Sequence, residues 1–282
     1  MQFTKMQGAG NDYIYVNCLK EKIENPEALA KKVSDRHFGI GADGLVLIGR
    51  SEIADFSMDI YNADGSRAMM CGNATRCVAK YVYDKGLFGK TEMDLETRSG
   101  IRHISMQLED GKVISATVNM GKPILNAKEI PTLFETETVI RQKLTIKGKE
   151  EKDYAVTAVS MGNPHCIVFV DTPTKDIKLS KIGPKFEKHK RFPERVNTEF
   201  VRILDDKTIE MRVWERGSGE TLACGTGASA AAVASVLNGY CQRNAEIEVR
   251  LLGGILHILW SEDGDVYMRG PAEFVCDGEY LG

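Results

Sequence analysis

Apolar side chains along this chain gather in short runs, not in long stripes. "YIYVNC", "GLVLIG", "FSMDIYN", "HCIVFV", "EFVRIL" and "TIEMRVWE" are rich in Val, Ile, Phe and Tyr, and each predicts a strand. Fewer stretches have helical spacing. "NPEALAKKVSDRHFG" opens on Asn-Pro and predicts a helix ending near Gly39. "NATRCVAKYVYDKG" predicts a helix stopped by Gly86, and "TGASAAAVASVLNG" one stopped by Asn238 and Gly239. The last is apolar nearly all round, which predicts burial on every side.

These runs repeat. "GNDYIYV" from Gly10 resembles "GNPHCIVFV" from Gly162, and the Cys71-Gly72 pair resembles Cys224-Gly225. "SGIRHI" from Ser99 matches "GGILHI" from Gly253. Weaker matches join Arg36 to Arg191 and "NMGKP" from Asn119 to "YMRGP" from Tyr267. The order is the same and the offset nearly constant, for example 153 residues from 71 to 224. Any one match is worthless alone; together they predict two domains of similar fold. The expected class is α+β, with two pseudo-symmetric domains, each a curved mixed or antiparallel sheet wrapped around a central helix. The boundaries expected are residues 1–119, completed by 270–282, and residues 120–269. "GKPILNAKEIPT" is expected to be the passage between halves, and "GPAEFVCDGEY" to return to the first sheet. Halves of this size pack with a cleft between them, and the repeat would put Cys71 and Cys224 on its opposite walls.

Composition narrows the functional classes. The 282 residues are 43% hydrophobic and 27% charged, with a net charge of -3, so nothing favours a nucleic-acid partner. The basic run Lys185 to Arg195, interrupted by acids, is expected to be a solvated loop. No apolar run predicts a membrane helix, and the N-terminus lacks the pattern of a signal peptide. Seven irregularly spaced cysteines argue for reduced thiols in the cytoplasm. No metal is expected, because the five histidines show no ligand spacing. "GAGND" and "GIGADG" lack the spacing of a nucleotide loop.

The candidate chemistry sits at the two helix starts. A thiol there meets the positive end of the helix and unpaired N–H groups, which favour thiolate and predict a pKa below about 8.5. The same N–H groups can hold a carboxylate. Two thiols across a cleft suit inversion at carbon: one removes a proton and the other delivers one to the opposite face. A redox dithiol or a thiol switch is the alternative, as is a tight turn with a buried cysteine. Cys77 is assigned to helix packing.

The residues also carry a resemblance over essentially the whole length. "KMQGAGNDY", "RHFGIGADG", "NADGSRAMMCGNATRC", "SMGNPHCIVFV", "RFPERVNTEFV" and "WERGSGETLACGTGASA" together resemble the diaminopimelate epimerase family. The resemblance implies a cofactor-independent isomerase interconverting LL- and meso-2,6-diaminopimelate, in lysine and peptidoglycan precursor synthesis. It implies no cofactor, a small-molecule substrate, a homodimer, no nucleic acid and no membrane. By position Cys71 and Cys224 are the catalytic bases, and His165 and Glu215 tune their protonation. Asn11, Asn62, Gly72, Asn73, Asn163, Asn197, Glu215, Arg216, Gly225 and Thr226 bind substrate, with Arg216 gripping the distal carboxylate. His165, after a turn-forming Asn-Pro, is expected at the cleft edge. Two departures stand out: Gly44, where many members carry Gln and others Gly, and Ala74, where Gly is common. A racemase of another amino acid, such as proline or histidine, is the competing enzyme.

Overall fold

The computed structural model describes residues 1–148 and 151–282. In chain order come β1 (Gln2–Gly8), β2 (Asn11–Asn17), α1 (Pro26–Ser34), β3 (Gly44–Gly49), β4 (Phe56–Asn62) and β5 (Arg67–Ala68). Then follow α2 (Gly72–Asp84), β6 (Glu92–Thr97), β7 (Gly100–Glu109), β8 (Lys112–Gly121), β9 (Gln142–Ile146), β10 (Lys152–Ser160) and β11 (Pro164–Phe169). The chain ends with α3 (Leu179–Glu187), β12 (Asn197–Ile203), β13 (Thr208–Glu215), β14 (Gly219–Thr221), α4 (Gly225–Leu237), β15 (Glu246–Leu251), β16 (Gly254–Trp260), β17 (Val266–Gly270) and β18 (Glu273–Glu279).

The chain forms two compact units, Met1–Asn119 with Arg269–Gly282, and Met120–Met268. In the first, β18 pairs antiparallel with β1 and β1 with β2. β2 then runs parallel to β3, β3 antiparallel to β4, β4 antiparallel to β5 and parallel to β6, and β6 antiparallel to β7. The second unit repeats the scheme. β9, β10 and β11 pair antiparallel, β11 is parallel to β12, β12 antiparallel to β13, β13 antiparallel to β14 and parallel to β15, and β15 antiparallel to β16. The mixed sheets and their helices are the α+β architecture that the short apolar runs predict.

Each unit keeps one helix inside. α2 and α4 are both 13 residues long, and each begins directly after its cysteine. Both stop where the chain turns left-handed, at Gly86 (φ 71°) and Gly239 (φ 75°), a conformation that costs glycine nothing. Ala228, Ala230, Ala231, Ala232 and Ala234 on α4 are fully buried. Alanine has the highest helix propensity, and its small side chain lets strands close around the helix from several sides. In the first unit Ile14, Val16, Leu45, Ala30 and Val33 form a core between sheet and α1. In the second, Leu144, Val156, Val168, Phe186 and Phe200 do the same with α3. Full burial of each such Ile, Leu or Phe is worth roughly 1.5–3 kcal/mol.

Two local expectations are corrected. α1 stops at Ser34, short of Gly39, because the Asp35 carboxylate accepts the N–H groups of His37 and Phe38 and bends the chain into a turn. The basic run is not all solvated loop. Its first three residues end α3, Phe186 and Phe192 are buried, and the buried Glu187 accepts from Trp214 Nε1 at 2.8 Å and Gly217 N at 3.1 Å. The segment at 121–132, expected as the passage between halves, follows directly on the unit boundary at Asn119 and Met120, and its Ala127 and Ile130 are fully buried in the second unit's core.

Candidate active site

In the first unit a two-residue turn starts the site. Ala9 (φ 53°) and Gly10 (φ 81°) link β1 to β2 in the left-handed pair that a tight hairpin requires. That turn delivers Asn11, whose amide donates to Asp43 at 2.7 Å and whose carbonyl faces Cys71 Sγ at 3.3 Å and Asn73 Nδ2 at 3.4 Å. Asp43 and Asp12 share Arg36, and Lys5 holds Asp12 at 3.0 Å. Burial alone would raise the pKa of Asp12; the Arg36 and Lys5 bonds outweigh it and hold the carboxylate below its usual range. Asp43, which the sequence reading left without a role, is therefore what orients Asn11.

Cys71 is the N-cap of α2 in extended conformation, so Gly72 and Asn73 supply first-turn N–H groups. Beneath them lies Arg76, fully buried, donating to Pro271 O at 3.1 Å, Gly72 O at 3.4 Å and Asn73 Oδ1 at 2.9 Å. Burial lowers its pKa, against the attraction of Cys77, Cys71 and Tyr15. Asn62, at the end of β4, donates to Ser66 Oγ at 3.0 Å. Gly44 pairs with it across the sheet, and a Cβ there would lie 2.2 Å from Tyr61 O. The backbone itself thus excludes a side chain at that departure from the family pattern. Ala74 is buried within α2, where alanine is at home.

In the second unit Cys224 is the N-cap of α4 and its Sγ accepts from Gly227 N at 3.3 Å. Parallel pairing puts His165 opposite Asn197 and Ile167 opposite Glu199. His165, expected at a cleft edge, is fully buried. Its Nδ1 lies 2.7 Å from Glu199 Oε1 and its Nε2 3.1 Å from Asn163 Oδ1. Asn163 Nδ2 reaches Thr226 Oγ1 at 3.3 Å, and Thr226 Oγ1 lies 3.5 Å from Cys224 Sγ. Asn197 Oδ1 accepts from the backbone N of Arg216 at 2.7 Å, setting the turn that carries it. The Arg216 guanidinium is exposed and donates to Glu194 O at 3.0 Å. Glu215 accepts from the Thr221 hydroxyl. Gly225 and Thr226 open α4.

The charge at Cys224 overturns the expected lowering. Burial pushes this thiol well above its ordinary pKa, and Glu215 and Glu199 push further. The Thr226 hydroxyl and the Gly227 N–H favour thiolate and are outweighed. The resting form at neutral pH is therefore the thiol. Among the described residues no group of three or more His, Cys, Asp or Glu is placed to hold a metal, and no helix is long and apolar enough to cross a membrane.

This fold has known counterparts. A phenazine biosynthesis protein of the PhzF family from Bacillus anthracis superposes with a TM-score of 0.69 at 16% identity, covering 100% of this chain and 99% of that one. A hydroxyproline epimerase from Agrobacterium vitis superposes at 0.68 with 14% identity, covering 99% and 90%. The architecture is thus the two-unit fold of PhzF-like proteins and amino-acid epimerases. Sequence narrows it: the diaminopimelate epimerase family model matches residues 3–126 and 157–275. A diaminopimelate epimerase from Methanococcus maripaludis (strain C5) is 55% identical over 280 residues, 99% of each chain. The chain belongs to the diaminopimelate epimerase family.

Proposed function

We propose that the chain is an isomerase that interconverts LL- and meso-2,6-diaminopimelate by two-base proton transfer between thiols. One observation carries the roles of the thiols. In each of two units with the same strand scheme, a cysteine caps a buried 13-residue helix and is hydrogen-bonded within its own unit. One sulfur, as thiolate, takes the α-hydrogen of the substrate as a proton. The electron pair left on carbon is delocalised into the adjacent carboxylate. The other sulfur, as thiol, returns a proton to the opposite face, so the stereocentre inverts and no electron leaves the substrate. The reaction asks for one thiolate and one thiol, and the raised pKa of Cys224 supplies the thiol.

Helix N-terminal N–H groups at Gly72 and Asn73, and at Gly225 and Thr226, suit a substrate carboxylate. Asn11, Asn62, Asn163 and Asn197 offer amides that donate to carboxylate and accept from ammonium. Arg216, exposed on its turn, fits the distal carboxylate, and Glu215 the distal ammonium. His165 and Glu215 act on the protonation of Cys224. The working form in this reading is a cytoplasmic homodimer without cofactor, and light scattering at working concentration reads its mass.

The test is the reduced protein in deuterium oxide with LL-diaminopimelate and no added cofactor. Deuterium enters the α-position and meso product forms. Cys71→Ser and Cys224→Ser each lower turnover by roughly 10²- to 10⁴-fold. Absence of exchange in the reduced wild-type protein, or faster turnover of a monocarboxylic amino acid, refutes the reading.

A further inference from the structure

Glu199 has no part in the reaction as described above. It lies on β12, facing inward with Asn197 by strand alternation, and its side chain is fully buried. Oε1 meets His165 Nδ1 at 2.7 Å. Among the described residues Oε2 has no hydrogen-bond partner. A buried carboxylate with one oxygen unsatisfied lowers stability, so packing does not explain it. It is also close to the helix start: a Cβ added to Gly227 would lie 2.7 Å from Glu199 Oε1 and 3.2 Å from Cys224 Sγ. The titratable groups around this cluster are His165 on β11, Glu215 on β13 and Cys224 on α4, with Cys166 on the opposite face of β11 still within reach of the Glu199 charge.

A chain of contacts joins Glu199 to the sulfur. It runs from Glu199 to His165 at 2.7 Å, to Asn163 at 3.1 Å, to Thr226 at 3.3 Å and to Cys224 at 3.5 Å. Donor counting gives it two consistent directions. With Cys224 as thiol and the Asn163 amide turned over from the placement above, S–H donates to Thr226, Thr226 to the Asn163 carbonyl, the Asn163 amide to Nε2, and Nδ1–H to the carboxylate. With Cys224 as thiolate and the Asn163 amide as placed, Nδ2 toward Thr226 and Oδ1 toward Nε2, the outer links reverse. His165 then carries N–H on both nitrogens, Asn163 donates to Thr226, and Thr226 to sulfur. Between the two states an S–H bond breaks and an Nε2–H bond forms. The net charge of Cys224, His165 and Glu199 stays at one negative unit, and no electron is transferred.

We propose that Glu199 is a positioning residue for proton transfer at Cys224: it anchors Nδ1 of His165 and is the counter-ion that lets His165 hold the proton Cys224 gives up. The inference rests on the epimerase reading for its consequence, but not for its geometry. The first unit provides a control of design: the position 153 residues earlier, from 199 to 46, is Val46, buried and apolar. A carboxylate at this depth is thus not a demand of the fold.

The experiment compares full-length wild type, Glu199→Gln and Glu199→Asp by kinetics and by nitrogen-15 NMR of labelled histidine. Glu199→Gln is expected to lower kcat by roughly 100-fold, to change KM by less than about threefold and to abolish the downfield Nδ1–H resonance of His165. Glu199→Asp restores that resonance and part of kcat. If Glu199→Gln does not fold, Glu199→Asp alone decides, because a longer reach to Nδ1 must shift the resonance and lower kcat together. Unchanged resonance and kcat in Glu199→Gln overturn the proposal. So does an equal loss of kcat in both variants with the resonance intact. A wild type that exchanges no α-hydrogen refutes the epimerase reading, while the His165 resonance still tests the Glu199 contact.

Discussion

The two units share a strand scheme, a helix length and a capping cysteine, yet they bury opposite charges. Behind Cys71, α2 carries the fully buried Arg76; at the matching place on α4 stands Ser229, whose hydroxyl only returns to Gly225 O at 3.0 Å. Behind Cys224, β12 carries the fully buried Glu199; at the matching place on β3 stands Val46. His165 similarly answers to Tyr13, 152 residues earlier in the chain (13 to 165). The repeat thus supplies two equivalent frames, and a few substitutions in their interiors make the thiols inequivalent. A cation next to a sulfur favours thiolate, and a carboxylate favours thiol. A two-base enzyme needs that difference, because two thiols or two thiolates together cannot both take and give a proton.

The largest effect expected from breaking this contrast is at Arg76. Arg76→Met leaves the carbonyls of Gly72 and Pro271 without their buried donor and is expected to cost about 3 kcal/mol of stability. Ser229→Ala at the matching position costs about 1 kcal/mol or less. Denaturant unfolding of both variants measures the pair, and equal costs would show that the two helix interiors are interchangeable after all.

Alkaline pH sharpens the same contrast. Burial raises Cys77 to about 11, against the pull of a Tyr15 hydrogen bond and Arg76. Burial raises Cys166 and Cys224 well above their ordinary values, and Glu199 adds to both. A raised thiol pKa means that the folded state keeps a proton the unfolded state has lost. Stability is therefore whole below the unfolded thiol value near 8.5 and falls as pH rises through the folded value, by on the order of 1–3 kcal/mol per thiol. In the second unit the Glu199 carboxylate raises two thiols further, whereas in the first the Arg76 guanidinium pulls Cys77 down. Hydrogen exchange followed from pH 8 to pH 11 should lose protection in β11 and α4 before α2. The reverse order would contradict the charge contrast.

The smallest effect is at the outer helices. Asn25 caps α1 by accepting from Ala28 N at 3.2 Å, while Lys178 at the head of α3 makes no side-chain cap. Asn25→Ala is expected to cost about 1 kcal/mol, and Lys178→Asp to add a few tenths. Thermal unfolding reads both. A loss at Lys178→Asp in place of that gain would mean that the head of α3 is held by something other than packing.

Much of this was legible in the chain, for reasons that can be named. The inner helices announce themselves because each follows a cysteine-glycine pair and ends at a glycine that must turn left-handed. α3 was not legible, since Pro184 and its lysines break the pattern of a helix that Leu179 and Phe186 nevertheless hold against a core. The asparagines and cysteines carry motif signals, whereas Glu199 sits in "NTEFVRI", which reads as an ordinary strand. The signal available was the repeat itself, which sets an acid at 199 against a valine at 46 in an inward-facing register. Arg76 was in view within "CGNATRC", but a helical arginine reads as exposed until the strands around it are placed.

The sequence by itself determined the doubled architecture, the pairing of Cys71 with Cys224 as equivalents, and the family. These depend on local patterns and on spacing along the chain, which need no third dimension. The tertiary structure alone decided that His165 is enclosed, that Gly44 admits no side chain, and that Cys224 rests as a thiol. Each of those depends on which atoms from distant segments arrive beside a group and how much water they displace. Desolvation and nearby charge set a thiol's protonation, and neither can be read from a residue's neighbours in sequence.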